Sequence, residues 1–471
     1  MKNRMLFLLL SVFFCSQMAQ GQTENQLSDQ QKTWLSKANR HEKAGWIYVH
    51  IEGEPKARGF QHGYLLASEI KESLRIVGEV WHYQSAMDWK WLVNQSAKFI
   101  KPKVDAENVL EMEGIAEGLK AAGVNSSLDE IIAYNASIEL TDYWWPTIKD
   151  KISPNSPDPK QESCSSFIAT GSMTADGKIV LGHNTMSGLC NPLCNIVLDI
   201  LPSKGKRILM QAQPGFIHSG TDFFVTSAGL VGSETTIGAF FGFDEKGIPE
   251  FARMRTAAQY ASNIDEWCAI MKKGNNGGYA NAWLIGDINT NEIARLELGL
   301  KYTGFEKKKD GFFIGSNVAE DLKILRVETK KEETNIEMSA VARRVRWKQL
   351  MKENMGKIDT DLAMKFEADH YDTYLNKEIP GGRSLCGHFY LEAHNQPGTP
   401  PFDAEATVDG KVIDAKMARQ MSFIGRWGPA CGMPFNAKAY LEAHPQFDWM
   451  TGLIKDMPSQ AWTVFTAGET R

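Results

Sequence analysis

From Cys164 onward the chain takes on the period of strands. Short apolar runs recur between turn signals and alternate with a spacing of two rather than about 3.6 residues. Residues 166–170 and 179–183 flank a loop carrying Asp176-Gly177 and predict a hairpin. Further strands are predicted at 196–201, 207–211, 223–227, 229–235, 282–287 and 292–298. Several of these neighbours are joined by turns too short for a crossover helix, which favours antiparallel pairing. Helices are predicted at 250–260, 264–272 and 337–351. Many antiparallel strands with helices between them must stack in layers, so the expected class is α+β.

Upstream, residues 22 to about 160 read as mostly helical. Apolar residues fall at helical spacing over 65–77, just after Arg58-Gly59-Phe60-Gln61-His62-Gly63. A second helix is predicted over 106–122 with Leu110, Ile115 and Leu119 on one face, and Ser127-Leu128-Asp129-Glu130 has the spacing of a capping box. Tyr143-Trp144-Trp145 then precedes a linker at 153–159 whose three prolines disfavour regular structure. The predicted organisation is a leader at 1–21, a helical segment with linker at 22–163, and a catalytic domain at 164–471.

Composition narrows the function classes. Of 471 residues 43% are hydrophobic and 23% charged, an ordinary balance for a globular chain able to bury a large core. Lys2 and Arg4 precede an apolar run at 5–15, and Ala19-Gln20-Gly21 offers a small-residue cleavage site, so the mature chain is expected to start at Gln22 and to be exported. Losing that leader makes the formal charge of −5 two units more negative, which gives no attraction to nucleic acid. No later apolar run is long enough to span a bilayer. Six cysteines follow the leader, at 164, 190, 194, 268, 386 and 431, and Cys386 with Cys431 is the pair considered for a disulfide.

Cys164 is the first candidate for chemistry. It stands among Ser163, Ser165 and Ser166, directly after the loose segment 153–160. A cut before it would give a thiol beside a free α-amine, whose unperturbed pKa of about 7.7–8 suits a general base near neutral pH. The alternative is a buried, inert cysteine. Four later stretches stand out. Gly182-His183-Asn184-Thr185-Met186 ends the strand that pairs back toward Cys164, where His183 could orient or polarise and Asn184 could donate a hydrogen bond. The segment from Gln213 through Asp222 to Glu234-Thr235 is dense in Gly, Ser and Thr, as in strands whose backbone approaches a ligand. Gly274-Asn275-Asn276-Gly277-Gly278-Tyr279-Ala280-Asn281 leads an asparagine onto a strand, where its amide could serve an oxyanion. Asp369-His370-Tyr371-Asp372 and Arg383-Ser384-Leu385-Cys386-Gly387-His388 could bind an acidic substrate end, and read rather as a buried polar network.

In this order the motifs resemble the phospholipase B-like family, a branch of the N-terminal nucleophile hydrolases. They are His-Asn-Thr after a Cys-Ser start, Pro-Gly…Ser-Gly-x-Asp-Phe, Ser-x-Gly-Leu-Val-x-x-Glu-Thr-Thr-Ile-Gly, and Asn-x-Gly-x-Tyr-x-Asn-x-Trp. The resemblance implies a four-layered αββα sandwich, and autoproteolysis between Ser163 and Cys164 with both pieces staying associated. By position it implies Cys164 as nucleophile and, through its α-amine, base, with His183 beside it and Asn281 helping to hold the oxyanion. Asn184, Asp222, Glu234, Thr235 and Arg383 are the further substrate-binding or oxyanion candidates. Met186 stands where the family usually has Trp. Related bile-salt and penicillin amidases carry Arg-Asn-x-Asp here, and His183 and Met186 replace both charges, which argues against a conjugated bile salt.

The expected function is therefore an exported, self-processed cysteine hydrolase of amide or ester acyl bonds. Its substrate would be an N-acyl amine, a small peptide or a phospholipid, and no cofactor is expected. Two other classes compete. One is a processed but idle member that binds lipid or peptide. The other is a metal-dependent hydrolase on His183, Cys190 and Cys194, whose Cys-x-x-x-Cys spacing permits zinc although no fourth ligand is evident.

Overall fold

Alternate residues of the strands go to different hydrophobic cores, and this sets the order of the layers. The computed structural model describes residues 27–158, 164–191, 193–220, 223–330, 332–393 and 399–470. Nine strands form one sheet in the order Asn39–Lys43, Trp46–Gly53, Ile196–Pro202, Ile208–Ala212, Phe223–Thr226, Leu230–Thr236, Asn281–Asp287, Glu292–Leu298 and Thr303–Lys308. Six form another in the order Gly311–Gly315, Cys164–Thr170, Val180–Gly188, Glu405–Asp414, Ser422–Trp427 and Thr463–Thr466. Their inner faces meet through Tyr48, Val197, Leu209 and Leu284 on one side and Ile168, Leu181, Ile413 and Phe423 on the other. The outer face of the larger sheet sends Val49, Leu198 and Ile285 against helical residues such as Ile115, Met254 and Trp267. That of the smaller sends Phe167, Val180 and Val412 against Trp347, Met351 and Phe366. Each such side chain contributes about 1.5–3 kcal/mol of burial, offset by the ordering of the chain. The result is the αββα sandwich of an α+β protein.

The hairpin predicted around Asp176-Gly177 forms, with antiparallel register from Cys164↔Thr185 to Ala169↔Val180. Two features of the N-terminal part differ from the expectation of helix alone. Asn39–Lys43 and Trp46–Gly53 are strands, joined at Ala44 and Gly45, which both have positive φ, as a tight two-residue hairpin turn requires. The second of these pairs in parallel with Ile196–Pro202, so residues on either side of the linker share one sheet. Its first six residues are all buried, which erases the alternation that would announce a strand.

The stretch around Gly59 is also not a lead-in but a helix, Pro55–Leu65, started by proline at its first turn and followed by the helix Ala67–Ser85. Its glycines let it touch the helix Ala106–Ala121 backbone to backbone. A Cβ on Gly59 would fall 1.9 Å from the Glu111 carbonyl oxygen, and one on Gly118 would fall 2.3 Å from that of Phe60. Arg58 threads this crossing with its Nε 2.7 Å from Glu111 and Nη2 2.9 Å from Glu107. On Ala106–Ala121 the residues Ile115 and Leu119 are buried as predicted, whereas Leu110 is exposed. Ser127 caps Leu128–Asn135 by accepting from the Glu130 amide at 3.2 Å. Cys386 and Cys431 both carry free thiols, so the disulfide considered for them is not formed. Among the described residues no helix is long and apolar enough to cross a membrane.

Candidate active site

Strand register decides which residues share a face with the thiol. Cys164 is the first residue of its strand and 2% exposed. Side chains alternate, so Cys164 and Ser166 lie on the inter-sheet face with their partners Thr185 and His183. Ser165 and Asn184 lie on the opposite face. Asn184 spends its amide there on the carbonyls of Glu367, at 2.7 Å, and Leu385, at 3.0 Å. It therefore fastens the outer helical layer and does not reach the thiol, contrary to the expectation for it. Ser165 accepts from the Trp347 indole at 2.9 Å on the same side.

The inter-sheet face is polar around the thiol. Ser166 Oγ donates to the Gly182 carbonyl at 2.8 Å, and so accepts from Ser233 Oγ at 2.6 Å, which links the two sheets. His183 Nε2 lies 2.8 Å from the carbonyl oxygen of Glu234. A carbonyl only accepts, so Nε2 carries the proton and Nδ1 keeps its lone pair. That Nδ1 is buried and meets no hydrogen-bond partner among the described residues. Burial and the nearby Lys411 charge hold the imidazole well below its usual pKa, so it is neutral at physiological pH. Lys411 itself is fully buried, 2.6 Å from Asp409 and 2.7 Å from Thr185 Oγ1, and Gln211 completes the network.

One residue at the site was not expected. Arg343, on the helix Ser339–Glu353, is fully buried and donates from Nη1 to the Cys164 carbonyl at 2.7 Å and from Nη2 to Asn317 Oδ1 at 2.7 Å. Desolvation pushes its pKa down to about 10, against the pull of Cys164 and Glu405, so the guanidinium stays charged at neutral pH. Asn317 in turn donates to the Thr236 carbonyl at 2.9 Å. The available signal was spacing. Ser339, Arg343 and Trp347 recur every four residues on one face, and an arginine in that stripe marks a buried charge.

The remaining candidates divide. Asn281 is the cross-strand partner of Thr236 and is fully buried, and neither atom of its amide meets a partner among the described residues. Glu234 serves through its backbone, while its carboxylate accepts from the Tyr279 hydroxyl at 3.2 Å. Thr235 packs against Gly315, the strand partner of Ser166. Arg383 is not at this site. It pairs with Asp372 at 2.9 Å and with Glu392, and stacks on Tyr374, which is the polar network read from the sequence. Ser163 and Asp222 lie outside the described residues. His183, Cys190 and Cys194 do not gather as metal ligands: among the described residues the one cluster of suitable donors lies elsewhere.

Further along the strand paired with that of Cys164, a cleft of about 320 Å³ is walled by Ile76, Val80, Trp81, Trp145 and Trp449, with Gly188 and Glu405 among its lining residues and the thiol itself outside them. Gly188 pairs with Glu405 and lies three residues beyond Thr185, roughly 10 Å along the same strand. Pro157 and Asp158, the last described residues before Cys164, also line it.

The chain is similar to an uncharacterized protein of Archaeoglobus fulgidus, 25% identical over 258 residues, covering 52% of this chain and 41% of that one. It is similar to phospholipase B-like protein C of Dictyostelium discoideum, 24% identical over 313 residues, covering 54% and 52%. It is also similar to phospholipase B-like 1 of Bos taurus, 29% identical over 91 residues, covering 18% and 17%. The matches thus span about half the length of these relatives or less. Among solved structures, a variant of conjugated bile acid hydrolase from Clostridium perfringens matches with a TM-score of 0.33 and 8% identity, over 56% of this chain and 89% of that one. The model of the phospholipase B family matches residues 14–299, more than half of the sequence, and the chain belongs to that family.

Proposed function

We propose that this chain is an exported hydrolase of amide or ester acyl bonds that works from Cys164 after cleavage between Ser163 and Cys164. The observation that carries the reading is the placement of Cys164, buried at the first position of its strand with its carbonyl held by a charged arginine. Cleavage would convert its peptide nitrogen into an α-amine. In turnover that amine takes the thiol proton, the sulfur attacks the substrate carbonyl carbon, and the leaving amine or alcohol departs with the proton. Water then adds to the thioester, releasing the acid and restoring the thiol. His183, held neutral with its Nδ1 lone pair unspent, fits an orienting or accepting role. The nearby cleft, walled by aromatic and aliphatic side chains with Asp142, Asp158 and Glu405 also lining it, favours an acyl chain over an anionic group as its occupant.

The reading is tested on active protein by denaturing electrophoresis and N-terminal sequencing, with a panel of N-acyl amines, peptides and phospholipids. Two fragments, the larger beginning at Cys164, are expected, and a fully intact chain in active protein would overturn the proposal.

A buried amide with both atoms unmet costs about 1–3 kcal/mol per group, a cost accepted where a ligand will meet it. Asn281→Ala is expected to lower kcat about a hundredfold with little change in KM and no loss of thermal stability, as for a lost oxyanion donor. Steady-state kinetics and a melting curve check this. A variant that melts much earlier would assign Asn281 to the fold instead.

A further inference from the structure

The stretches left by the sequence as a buried polar network supply three members of a second, separate constellation, and Cys431 supplies the fourth. His370, Cys386, His388 and Cys431 bring one donor atom each to a common point, all four within 4.8 Å of one another. His370 Nε2 is 3.2 Å from His388 Nε2, and His388 Nε2 is 3.5 Å from both Cys386 Sγ and Cys431 Sγ. Zinc–nitrogen bonds of about 2.05 Å and zinc–sulfur bonds of about 2.3 Å give a tetrahedron with edges of about 3.3 Å between nitrogens and 3.6 Å between nitrogen and sulfur. The three separations from His388 match those edges, and the other three pairs lie within 4.8 Å.

From this we infer that His370, Cys386, His388 and Cys431 form a structural zinc site. Two thiolates and two imidazoles are the donor set of a closed tetrahedral zinc centre, with no position left for substrate. The surroundings are built to match. The Tyr390 hydroxyl lies 3.2 Å from His388 Nδ1, on the ring nitrogen facing away from the cluster, and so directs the Nε2 lone pair inward. The Met433 amide donates to Cys431 Sγ at 3.3 Å, as a thiolate ligand invites. Cys386 and His388 are buried while His370 and Cys431 are half-buried, so the site is shielded yet open to an entering ion on one side. Both cysteines are free, and binding would release their two thiol protons to solvent.

The site ties together three distant parts of the chain. His370 follows the helix Thr360–Glu367, Cys386 and His388 sit on the loop before Glu405–Asp414, and Cys431 follows the strand Ser422–Trp427. The middle loop supports the strand of His183: its Leu385 carbonyl holds Asn184, and Gly387 is bonded through both backbone groups to Thr407. The ion would thus brace the outer side of the candidate active site without taking part in its chemistry.

The test is the metal content of the full chain, purified without chelator, by inductively coupled plasma mass spectrometry. About one zinc per chain is expected, falling at least tenfold in Cys431→Ser and in His370→Ala and unchanged in Cys268→Ser, a buried cysteine outside the cluster. Removal of the metal with a strong chelator should lower Tm by several degrees, and added Zn²⁺ should restore it. Because the variants could misfold, the unmodified protein stripped of metal is also titrated with Co²⁺. Intense visible bands of a tetrahedral site and a thiolate charge-transfer band in the near ultraviolet are expected. A Cys386–Cys431 disulfide found by non-reducing peptide mapping, or a stripped protein giving no such cobalt spectrum, would overturn the inference.

Discussion

Cys164→Ala is expected to yield a chain that is never cut after residue 163 and has no measurable acyl transfer. The substitution removes only a sulfur atom from a site that is 2% exposed, so the fold should survive and the melting temperature should move little. On the proposed function, what would disappear is the nucleophile of both reactions, processing and turnover. Removing such a group costs on the order of a thousandfold or more, because residual rates come only from binding and oxyanion contacts. Cys164→Ser is the informative companion: its hydroxyl could still attack, and slow cleavage with weak turnover is expected from it. For the natural protein, kcat/KM should rise with pH as the new α-amine loses its proton, at about 7.7–8 if that group is unperturbed. His183 should leave no limb of its own near neutral pH, because burial and the Lys411 charge hold its pKa well below the usual value. Electrophoresis, N-terminal sequencing and a pH series measure all three, and unchanged turnover in Cys164→Ala would remove the thiol from its role.

Arg343→Leu is expected to be nearly as damaging, by a different route. The guanidinium donates to the Cys164 carbonyl and to Asn317 Oδ1 at once, and leucine would remove both of these charge-assisted hydrogen bonds from the interior. A hydrogen bond to a charged group is worth roughly 1.5–3 kcal/mol, so denaturant unfolding should show a loss of several kcal/mol. The first residue of the strand would also lose the contact that fixes its backbone, and activity should fall by about two orders of magnitude. Arg343→Lys separates charge from geometry. An ammonium cannot bridge two acceptors as a planar fork does, so it should recover stability better than rate. Equal recovery of both would show that the charge alone matters.

How far the sequence foretold this molecule depends on how local each signal is. The hairpin bearing Cys164 and His183 was legible because alternation, an Asp-Gly turn and a tight loop all occur within about twenty residues. Its register even contained the correct position of Asn184, since neighbours on a strand face opposite ways; read for parity, it would have been assigned to the outer face from the start. Trp46–Gly53 was not legible as a strand because it is buried on both faces. Pro55–Leu65 was passed over because its glycines weaken a helix in isolation, and the reason for them is a partner fifty residues away. The stripe Ser339-Arg343-Trp347 could have marked Arg343 as buried, but the partners it finds, like the convergence of the donors at 370, 386, 388 and 431, depend on packing between distant segments, which no local pattern encodes.

The parallel pairing of Trp46–Gly53 with Ile196–Pro202 bears on what a cut at the linker could accomplish. Seven residue pairs, from Ile47↔Ile196 to Gly53↔Pro202, join a strand on one side of that linker to a strand on the other. A broken bond between them changes the covalent connectivity of the molecule and leaves its sheet intact. Parting the two pieces then means opening the middle of a hydrophobic core, so their lifetime together is the lifetime of the fold itself. In that sense a nicked molecule would behave as a two-chain protein that cannot be diluted into its subunits.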